Sequence, residues 1–321
     1  MTEMPTCKVY QISECPEGVA WMIEGLWLDN GVGIIGGEPK SFKTFAALSL
    51  AVAISSGKQC FGRYVVHRRG PVLLYAAEDS LPMVKERIRG ISGKMGADFN
   101  QLDINVITSQ KLRIDCDIDR RKMEATIGEI KPVLLILDPF VRLHGIDENS
   151  SGEVAKILSW LRDLQRQHSL NIAMVHHARK RAGKERPGQS LRGSSELHAW
   201  GDSNLYLRRT AHADDCVELT IEHRSAPSSN GNHLRLDLTD DQPALIFESG
   251  ASALPSDSPS AVQRISGVLC SRGRPMTGDE LRSECKMKSS TFWAALNKLI
   301  AMEKIERLES GGYQSLPSPQ S

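Results

Sequence analysis

The most constraining feature of this sequence is a glycine-containing turn that joins an apolar segment to an apolar helical pattern. Val32, Ile34 and Ile35 lead into the turn, and apolar residues from Phe45 to Ile54 leave it with helical spacing. The turn itself reads Gly37-Glu38-Pro39-Lys40-Ser41-Phe42-Lys43-Thr44. In such a turn, backbone N–H groups and the N-terminus of the following helix cradle phosphate groups. The run therefore predicts a phosphate-binding loop, with all eight residues as candidate nucleotide contacts.

Lys43 and Thr44 have the chemistry that such a loop needs. A lysine at this position reaches the β- and γ-phosphates of a nucleotide such as ATP, and the hydroxyl of Thr44 ligates Mg²⁺. Phe42 stands where G-x-x-x-x-G-K-[ST] has its last glycine, so we expect its backbone to be already helical and its ring to point away from the phosphates. The alternative is a plain strand-turn-helix in which the Lys-Thr pair is incidental.

Composition sets wide limits on the rest of the chain. Its 321 residues, 40% of them hydrophobic, suffice for a large domain and a small one, and the net charge of +1 indicates no class of partner. Seven scattered cysteines without a C-x-x-C pair favour reduced thiols over zinc. No apolar run approaches the ~18 residues of a membrane span. We therefore expect a cytoplasmic protein with no membrane partner.

Two further predicted strands end in carboxylates. The apolar run from Pro71 ends in Glu78 and Asp79, and the run Val133–Leu137 ends in Asp138. Parallel α/β sheets place their chemistry at the carboxyl ends of strands, and an Asp at such an end holds Mg²⁺ beside bound phosphates. Plainer explanations exist for both: Asp138 can mark the exit of a strand, and Glu78 can cap the helix that follows.

Strands and helices alternate through the first 180 residues. Helices are predicted at 81–95, 119–130 and 153–168, and the strand 171–175 ends in His176 and His177. This alternation predicts an α/β fold with a mainly parallel, doubly wound sheet. Four short antiparallel strands, at 204–207, 216–223, 233–238 and 245–247, are expected to extend it. Of the two histidines, His176 is expected to be a core residue.

A basic segment follows the two histidines. It contains Arg179, Lys180, Arg181, Lys184, Arg186 and Arg192. A solvated loop is the plain interpretation of such a run. Because the segment should lie at the same sheet edge as the carboxylates, we favour a second interpretation, in which it grips the phosphate backbone of single-stranded DNA.

Composition also divides the chain. A Pro/Ser/Gly-rich stretch at 250–260 predicts a linker. It would separate an N-terminal segment (1–30) and a nucleotide-binding domain (31–249) from a second domain (261–314) and a tail (315–321). Three helices and a hairpin in the second domain predict a winged helix-turn-helix. Such a domain binds DNA, a protein partner or another copy of the chain, and the sequence leaves these open.

Together these motifs resemble the RecA-like hexameric ATPases, and among them the RepA-type replicative helicases of plasmids and phages. The resemblance spans residues ~20 to 250. Its motifs are the loop 37–44, Glu78-Asp79, Leu137-Asp138-Pro139, and Val175-His176-His177 followed by Leu191-Arg192-Gly193-Ser194-Ser195. The segments 202–209 and 222–227 resemble the end of a replicative helicase core.

The resemblance implies a RecA-like P-loop fold and a role for each motif residue. Lys43 and Thr44 would bind ATP and Mg²⁺, and Asp138 would support the metal. Glu78 would polarise the attacking water. His177 stands where the family has a residue that senses the γ-phosphate.

The resemblance also implies a ring-shaped homo-oligomer, expected to be a hexamer. Arg224 stands where a catalytic arginine would reach into the neighbouring subunit's site, with Arg208 and Arg209 as competing candidates. Glu222 replaces the lysine that accompanies this arginine in the family.

The sequence thus favours an ATP-hydrolysing, ring-forming motor that moves on single-stranded DNA, a RepA-like helicase of a plasmid, phage or integrated element. Its winged helix would recruit it to a replication partner. The alternative is a nucleotide-switched DNA-binding or regulatory protein, in which ATP drives assembly and the winged helix reads a duplex without unwinding it.

Overall fold

The computed structural model describes residues 6–11, 19–178, 196–210, 213–239, 243–248, 261–272, 274–285, 289–301, 305–308 and 312–315. The chain divides into two compact units, Met1–Gly250 and Ala251–Ser321. The predicted linker, 250–260, lies outside the described residues, so the proposed domain boundaries stay a prediction.

The first unit is built around one long sheet. Its strands are β1 (Trp21–Ile23), β2 (Trp27–Leu28), β3 (Val32–Gly37), β4 (Val72–Ala76), β5 (Ile104–Val106), β6 (Leu134–Asp138), β7 (Asn171–His177), β8 (Ser203–Arg209), β9 (Cys216–His223), β10 (Ser229–Asp237) and β11 (Ala244–Phe247). Its helices are α1 (Lys43–Ser56), α2 (Leu81–Lys94), α3 (Asp117–Ile130), α4 (Ser151–His168) and α5 (Glu196–Trp200). Short 3₁₀ turns occur at Val9–Gln11, Phe99–Gln101 and Phe140–Arg142.

Nine of these strands form the sheet, in the order β11-β10-β9-β8-β3-β7-β6-β4-β5. Strands β5, β4, β6, β7, β3 and β8 run parallel, whereas β8, β9, β10 and β11 pair antiparallel. This confirms the predicted α/β class with a mainly parallel, doubly wound sheet. Strand β3, which leads into the glycine turn, lies between β7 and β8, near the centre.

Helices cover both faces of the sheet, which explains why its central strands are continuous apolar runs. One apolar cluster joins the sheet to α1 and α2, and the other joins it to α3, α4 and α5. The short hairpin of β1 and β2 also packs into the first cluster, through Met22, Ile23, Leu26 and Trp27. No helix in the described part of the chain is long and apolar enough to span a membrane.

The antiparallel strand at the margin of the sheet, β11, packs against the same two helices as the first apolar cluster. Strand β11 contacts both α1 and α2. The backbone N–H of Phe247 donates to the carbonyl of Phe61 at 2.9 Å, and the Arg63 guanidinium lies 4.1 Å from the Phe247 ring centroid. Lys94 on α2 pairs with Asp237 on β10 at 2.7 Å. The sheet therefore curls back over α1.

The second unit has its own core. Its elements are α6 (Ala261–Arg272), β12 (Met276–Thr277), α7 (Gly278–Cys285), α8 (Ser289–Ala301), β13 (Ile305–Arg307) and β14 (Gly312–Ser315). The three strands pair in the order β12-β14-β13, around buried Leu281, Phe292, Leu296 and Leu299. Thr277 and Glu280 cap α7 reciprocally. The order of elements follows the predicted one, and the winged-helix assignment stays a prediction.

Candidate functional site

The carboxyl ends of four parallel strands enclose a cavity of about 270 Å³. Its lining includes eight residues that the sequence singled out: Lys40, Ser41, Phe42, Lys43, Thr44, Glu78, Asp138 and His177. It also includes Phe45, Asp79, Arg87 and Val175. The strands β3, β4, β6 and β7 therefore bring the phosphate-loop residues, the carboxylates and one histidine together, as parallel sheets do at this edge.

The turn between β3 and α1 is formed by two non-glycine residues in the left-handed region. Lys40 has φ +64° and Phe42 has φ +61°. The expectation that the Phe42 backbone is helical is therefore wrong: the turn needs a positive φ immediately before α1, which is why glycine usually occupies that position. The Phe42 ring packs edge-on against Phe45, with centroids 6.5 Å apart.

Gly37 closes β3 where no side chain fits. A Cβ there would lie 2.3 Å from the carbonyl oxygen of Leu207 on β8 and 2.6 Å from Ser41 Oγ. The next two predicted contacts, Glu38 and Pro39, form the start of the turn, and the Glu38 carbonyl accepts a hydrogen bond from the Ser41 N–H at 3.3 Å. Ser41 Oγ is buried without a hydrogen-bond partner among the described residues. A bound phosphate would supply one.

Lys43 begins α1 and is buried in the cavity wall. The residue is only 6% exposed, and its Nζ donates to the Glu38 carbonyl at 2.6 Å. Burial lowers the pKa of Lys43 to about 8, against the opposing attraction of Asp138, Glu78 and Glu38. A buried ammonium with few partners is suited to bind an anion.

Asp138 and Thr44 face each other at the floor of the same cavity. Asp138 is 6% exposed, and burial raises its pKa to about 6, while the hydrogen bond from Thr44 and the charge of Lys43 act in the opposite direction. A carboxylate and a hydroxyl beside a phosphate site are a donor set that fits Mg²⁺, which keeps most of its shell for phosphate and water. Groups of three or more acidic, His or Cys ligands are absent from the described residues. The pair therefore fits Mg²⁺ only together with bound phosphates.

Glu78 lies just beyond β4, in the cavity lining, with its side chain about half exposed. Its Oε1 accepts a hydrogen bond from Arg142 Nε at 3.2 Å. The cap residue of α2 is Ser80, and no side-chain capping bond is found there. Ser80, and not Glu78, thus stands at the N-cap of α2, and the Glu78 carboxylate contacts Arg142 at the cavity.

The two histidines at the end of β7 face different surroundings. His177 is half-buried and lines the cavity beside the phosphate loop, because β7 pairs with β3 in the register Gly37↔His177. His176 is 1% exposed and packs edge-on against Phe140, with ring centroids 5.9 Å apart. His176 therefore lies in the core.

The candidate arginines lie outside this cavity. Arg224 directly follows β9, whose end pairs with the start of β8, so it lies at the opposite end of the strands from the cavity. Its backbone N–H donates to the Asp202 carbonyl at 2.9 Å. Its guanidinium contacts the carbonyls of Ala199 and Trp200. Arg208 is exposed near the carboxyl end of β8, and Arg209 pairs with Asp214. An arginine that acts in a neighbouring subunit's site needs no place in its own.

The six predicted DNA contacts fall outside the described residues. They are Arg179, Lys180, Arg181, Lys184, Arg186 and Arg192. The last residue described before them, Ala178, donates its N–H to the Gly37 carbonyl at 2.9 Å. Ala178, at the end of this described stretch, therefore lies beside the phosphate loop.

Sequence reasoning assigned no role to an ion pair in the cavity wall. Arg87 on α2 contacts Asp79, and its guanidinium lies 5.1 Å from the Phe45 ring centroid. The sequence feature that could have revealed this pair is a spacing: Arg87 lies about two helical turns after Asp79, in the helix that directly follows it. Arg142, four residues after Asp138, was also missed.

Comparisons with known proteins agree with this geometry. The AAA_25 family, described as an AAA domain, matches residues 3–183, more than half of the chain. One solved structure, described as an ATPase domain, superposes with a TM-score of 0.53 at 16% identity, covering 69% of this chain and 86% of that one. A DnaB-like replicative helicase, solved with a view to its interactions with primase, gives 0.51 at 16% identity, covering 65% and 56%.

These two likenesses are to the fold, which is the RecA-like arrangement of a central, mainly parallel sheet with a phosphate loop after its middle strand. With the loop, the buried lysine and the strand-end aspartate all within the matched residues, the chain belongs to the AAA_25 family of AAA domains and has the fold of RecA-like P-loop ATPases.

Proposed function

We propose that this protein is an ATP-hydrolysing motor that assembles into a ring and moves on single-stranded DNA, as a RepA-like replicative helicase. The observation that carries the proposal is that buried Lys43 and buried Asp138 line one cavity, which Glu78 also lines. Phosphoryl transfer asks a protein mainly for positioning and charge neutralisation, and this set of side chains offers both.

Each side chain has a defined task in this proposal. The loop amides and Lys43 hold the β- and γ-phosphates, and Thr44 and Asp138 would hold Mg²⁺. Bound there, the metal ion would neutralise phosphate charge. Glu78 orients the attacking water and accepts a proton from it. His177, at the end of the neighbouring strand, detects whether the γ-phosphate is present.

The proposed ring would supply an arginine that one subunit lacks. Within the described residues, the cavity wall has one arginine, Arg87, and the Asp79 carboxylate already pairs with it. An arginine supplied from another subunit adds roughly 10³–10⁵ in rate in related phosphoryl-transfer systems. We infer that Arg224 plays this part in a neighbouring site, with Arg208 as the competitor, in a hexamer. The DnaB-like relative is named a replicative helicase, which favours this class of motor.

Two substitutions test the proposal. Lys43→Ala should abolish hydrolysis, because it removes the charge that neutralises the phosphates. Glu78→Gln should bind ATP normally and lose turnover, because an amide keeps the shape but cannot take a proton from water. The measurements are nucleotide affinity, hydrolysis with and without single-stranded DNA, and strand displacement. Hydrolysis at the wild-type rate in both variants would refute the proposed site.

A second candidate function rests on the second unit, which has an apolar core of its own. In that case the protein is a nucleotide-switched DNA-binding or assembly protein, and the second unit reads a duplex site. Sequence-specific duplex binding without strand displacement would favour this candidate. Hydrolysis stimulated by single strands, with displacement, would favour the motor.

A further inference from the structure

A second hollow adjoins the nucleotide cavity and shares one residue with it. It has a volume of about 400 Å³ and a floor formed by Tyr75 and Ala77. Its other lining residues are Glu78, Gln110, Lys111 and Arg142. Glu78 therefore lines both hollows, and a rotation of its side chain would move the carboxylate from one to the other.

Arg142 is mounted rigidly at this hollow. Its neighbours Phe140 and Leu143 are completely buried, and its backbone N–H donates to the Pro139 carbonyl at 3.1 Å. The side chain itself is 63% exposed, and its Nε holds Glu78 Oε1 at 3.2 Å. The backbone is therefore fixed while the guanidinium is accessible.

A neighbouring loop brings Lys111 to the same place. Leu112 and Ile114 bury the loop, and the N–H of Ile114 donates to the Leu143 carbonyl at 2.7 Å. The Asp115 carboxylate accepts from the Gly145 N–H at 2.9 Å, and the pKa of Asp115 is well below its usual range because Arg113 pairs with it. These contacts tie the two loops together and keep Lys111 and Arg142 at one hollow.

The charges of the hollow favour an anion. Lys111 and Arg142 face one carboxylate, Glu78, and no ion pair of Lys111 occurs in the described part of the chain. The pair between Arg142 and Glu78 is exposed, and exposed pairs are weak. A phosphate can bind a guanidinium through two hydrogen bonds and so competes well with a single contact.

We propose that this hollow binds a backbone phosphate of single-stranded nucleic acid, and that the phosphate takes Arg142 away from Glu78. The freed carboxylate then turns into the nucleotide cavity, where it orients the attacking water. A polynucleotide fits better than a small ion, because the two cations are exposed and because six basic residues follow Ala178 in the sequence. The inference rests on the proposed function, since it names the contact through which DNA stimulates hydrolysis.

The test compares four proteins: wild type, Arg142→Ala, Lys111→Ala/Arg142→Ala, and the control Arg121→Ala/Lys122→Ala. The control removes two exposed cations from α3. Arg142→Ala should raise hydrolysis without DNA, by no more than about fivefold given the weakness of exposed pairs. It should also lower the stimulation by single strands. The double variant should bind single strands more weakly, with a log–log salt slope smaller by about 0.7 for each lost contact. The control should match the wild type.

Three further measurements decide the interpretation. In Glu78→Gln/Arg142→Ala the gain in DNA-free hydrolysis should vanish, and a gain that persists would overturn the proposal. If Arg142→Ala lowered the rate of hydrolysis equally with and without DNA, at an unchanged salt slope, Arg142 would only orient Glu78. That result would also overturn the proposal. Inorganic phosphate should not stimulate hydrolysis. If it did, the ligand of the hollow would be a free anion, and the proposal of a polynucleotide would be wrong.

The failure of this inference and that of the proposed function are separable. A wild type that single strands do not stimulate contradicts the motor itself. If single strands stimulate hydrolysis by the wild type and by the variants to the same extent, only the role of this hollow is contradicted.

Discussion

At the residue scale, the phosphate loop holds two side chains in a backbone region that normally belongs to glycine. A left-handed residue with a Cβ costs roughly 1–2 kcal/mol, and the loop has two, Lys40 and Phe42. Packing of the Phe42 ring against Phe45 offsets part of this cost. Strain of this kind persists where the surrounding structure fixes the conformation, and it concentrates at functional sites.

The strain at Phe42 can be measured by comparing two substitutions that both remove the ring. We expect Phe42→Gly to be more stable than Phe42→Ala by about 1 kcal/mol, because only glycine adopts a φ of +61° without strain. Urea unfolding of both variants provides the measurement. At Ala125, an exposed residue within α3, glycine should instead be less stable than alanine. The same order at both positions would contradict the left-handed backbone at Phe42.

Burial of Lys43 predicts that the site costs stability when no nucleotide is bound. The folded-state pKa of about 8 lies below the unfolded value of 10.5, so the cost is fully present below pH 8 and disappears as the pH rises towards 10.5. Lys43→Met should therefore stabilise the nucleotide-free protein at pH 7 by about 1–2 kcal/mol. This is less than the pKa shift alone implies, because Asp138 loses a neighbouring cation.

Thermal unfolding at pH 7 and pH 10 tests this expectation. The advantage of Lys43→Met should narrow at pH 10, where wild-type Lys43 is largely neutral. Excess ATP should reverse the order at pH 7, since only the wild type gains ligand stabilisation. A variant less stable than wild type at pH 7 would show that Lys43 is well compensated in the empty site.

At the element scale, the close approach of β3 and β8 depends on glycine. A Cβ at Gly33 would lie 1.6 Å from the Ser203 carbonyl oxygen and 2.9 Å from the Trp27 ring. Backbone cannot yield by that much without separating the strands. By contrast, a Cβ at Gly128 within α3 would meet nothing within 4 Å.

These two glycines should respond to alanine in opposite directions. Gly33→Ala should destabilise the first unit by more than about 3 kcal/mol, in the range of severe core lesions. Gly128→Ala should stabilise it by roughly 0.5–1 kcal/mol, because alanine is the better helix former. Denaturant unfolding of the two variants gives both values. If Gly33→Ala were tolerated, the strands would have to be further apart than described.

The elements also show which parts of the fold a sequence makes visible. Helices α3 and α4 each begin two residues before the predicted start, and β9 has the predicted bounds, because their apolar periodicity is long enough to detect. The hairpin of β1 and β2 has strands of three and two residues, too short to show a period of two. No strand is therefore predicted at these positions.

The candidate site was predictable to the extent that it depends on strand ends. Parallel strands bring Lys43, Glu78, Asp138 and His177 to one cavity, and each follows an apolar run that the sequence displays. The contact of Arg87 with Asp79 depends on which face of α2 turns inward. The left-handed backbone at Phe42 depends on a turn geometry that its side chain opposes. Neither follows from a pattern of residue types.

At the scale of the whole molecule, the described residues form separate apolar cores in the two units. The clusters of the first unit contain no residue beyond Phe247, and that of the second none before Ile265. We expect truncation after Gly250 to leave a folded protein that hydrolyses ATP and assembles, and to change where the protein is recruited. Light scattering and hydrolysis assays of the truncated protein provide the measurement. A truncated protein that fails to assemble would make the second unit part of the motor.

The return of β11 over α1 has a mechanical consequence. The first residues of α1 are Lys43 and Thr44. The helix packs against the middle of the sheet on one side and contacts β11 on the other, where Phe247 bonds to Phe61 and Lys94 pairs with Asp237. Close-packed interiors transmit displacement and absorb little of it. Because α1 is packed on both sides, we expect a displacement of its first residues to move the helix together with the sheet. A displacement at the phosphate loop should therefore be transmitted to the antiparallel strands β10 and β11, which contact this helical layer at Phe61 and Lys94.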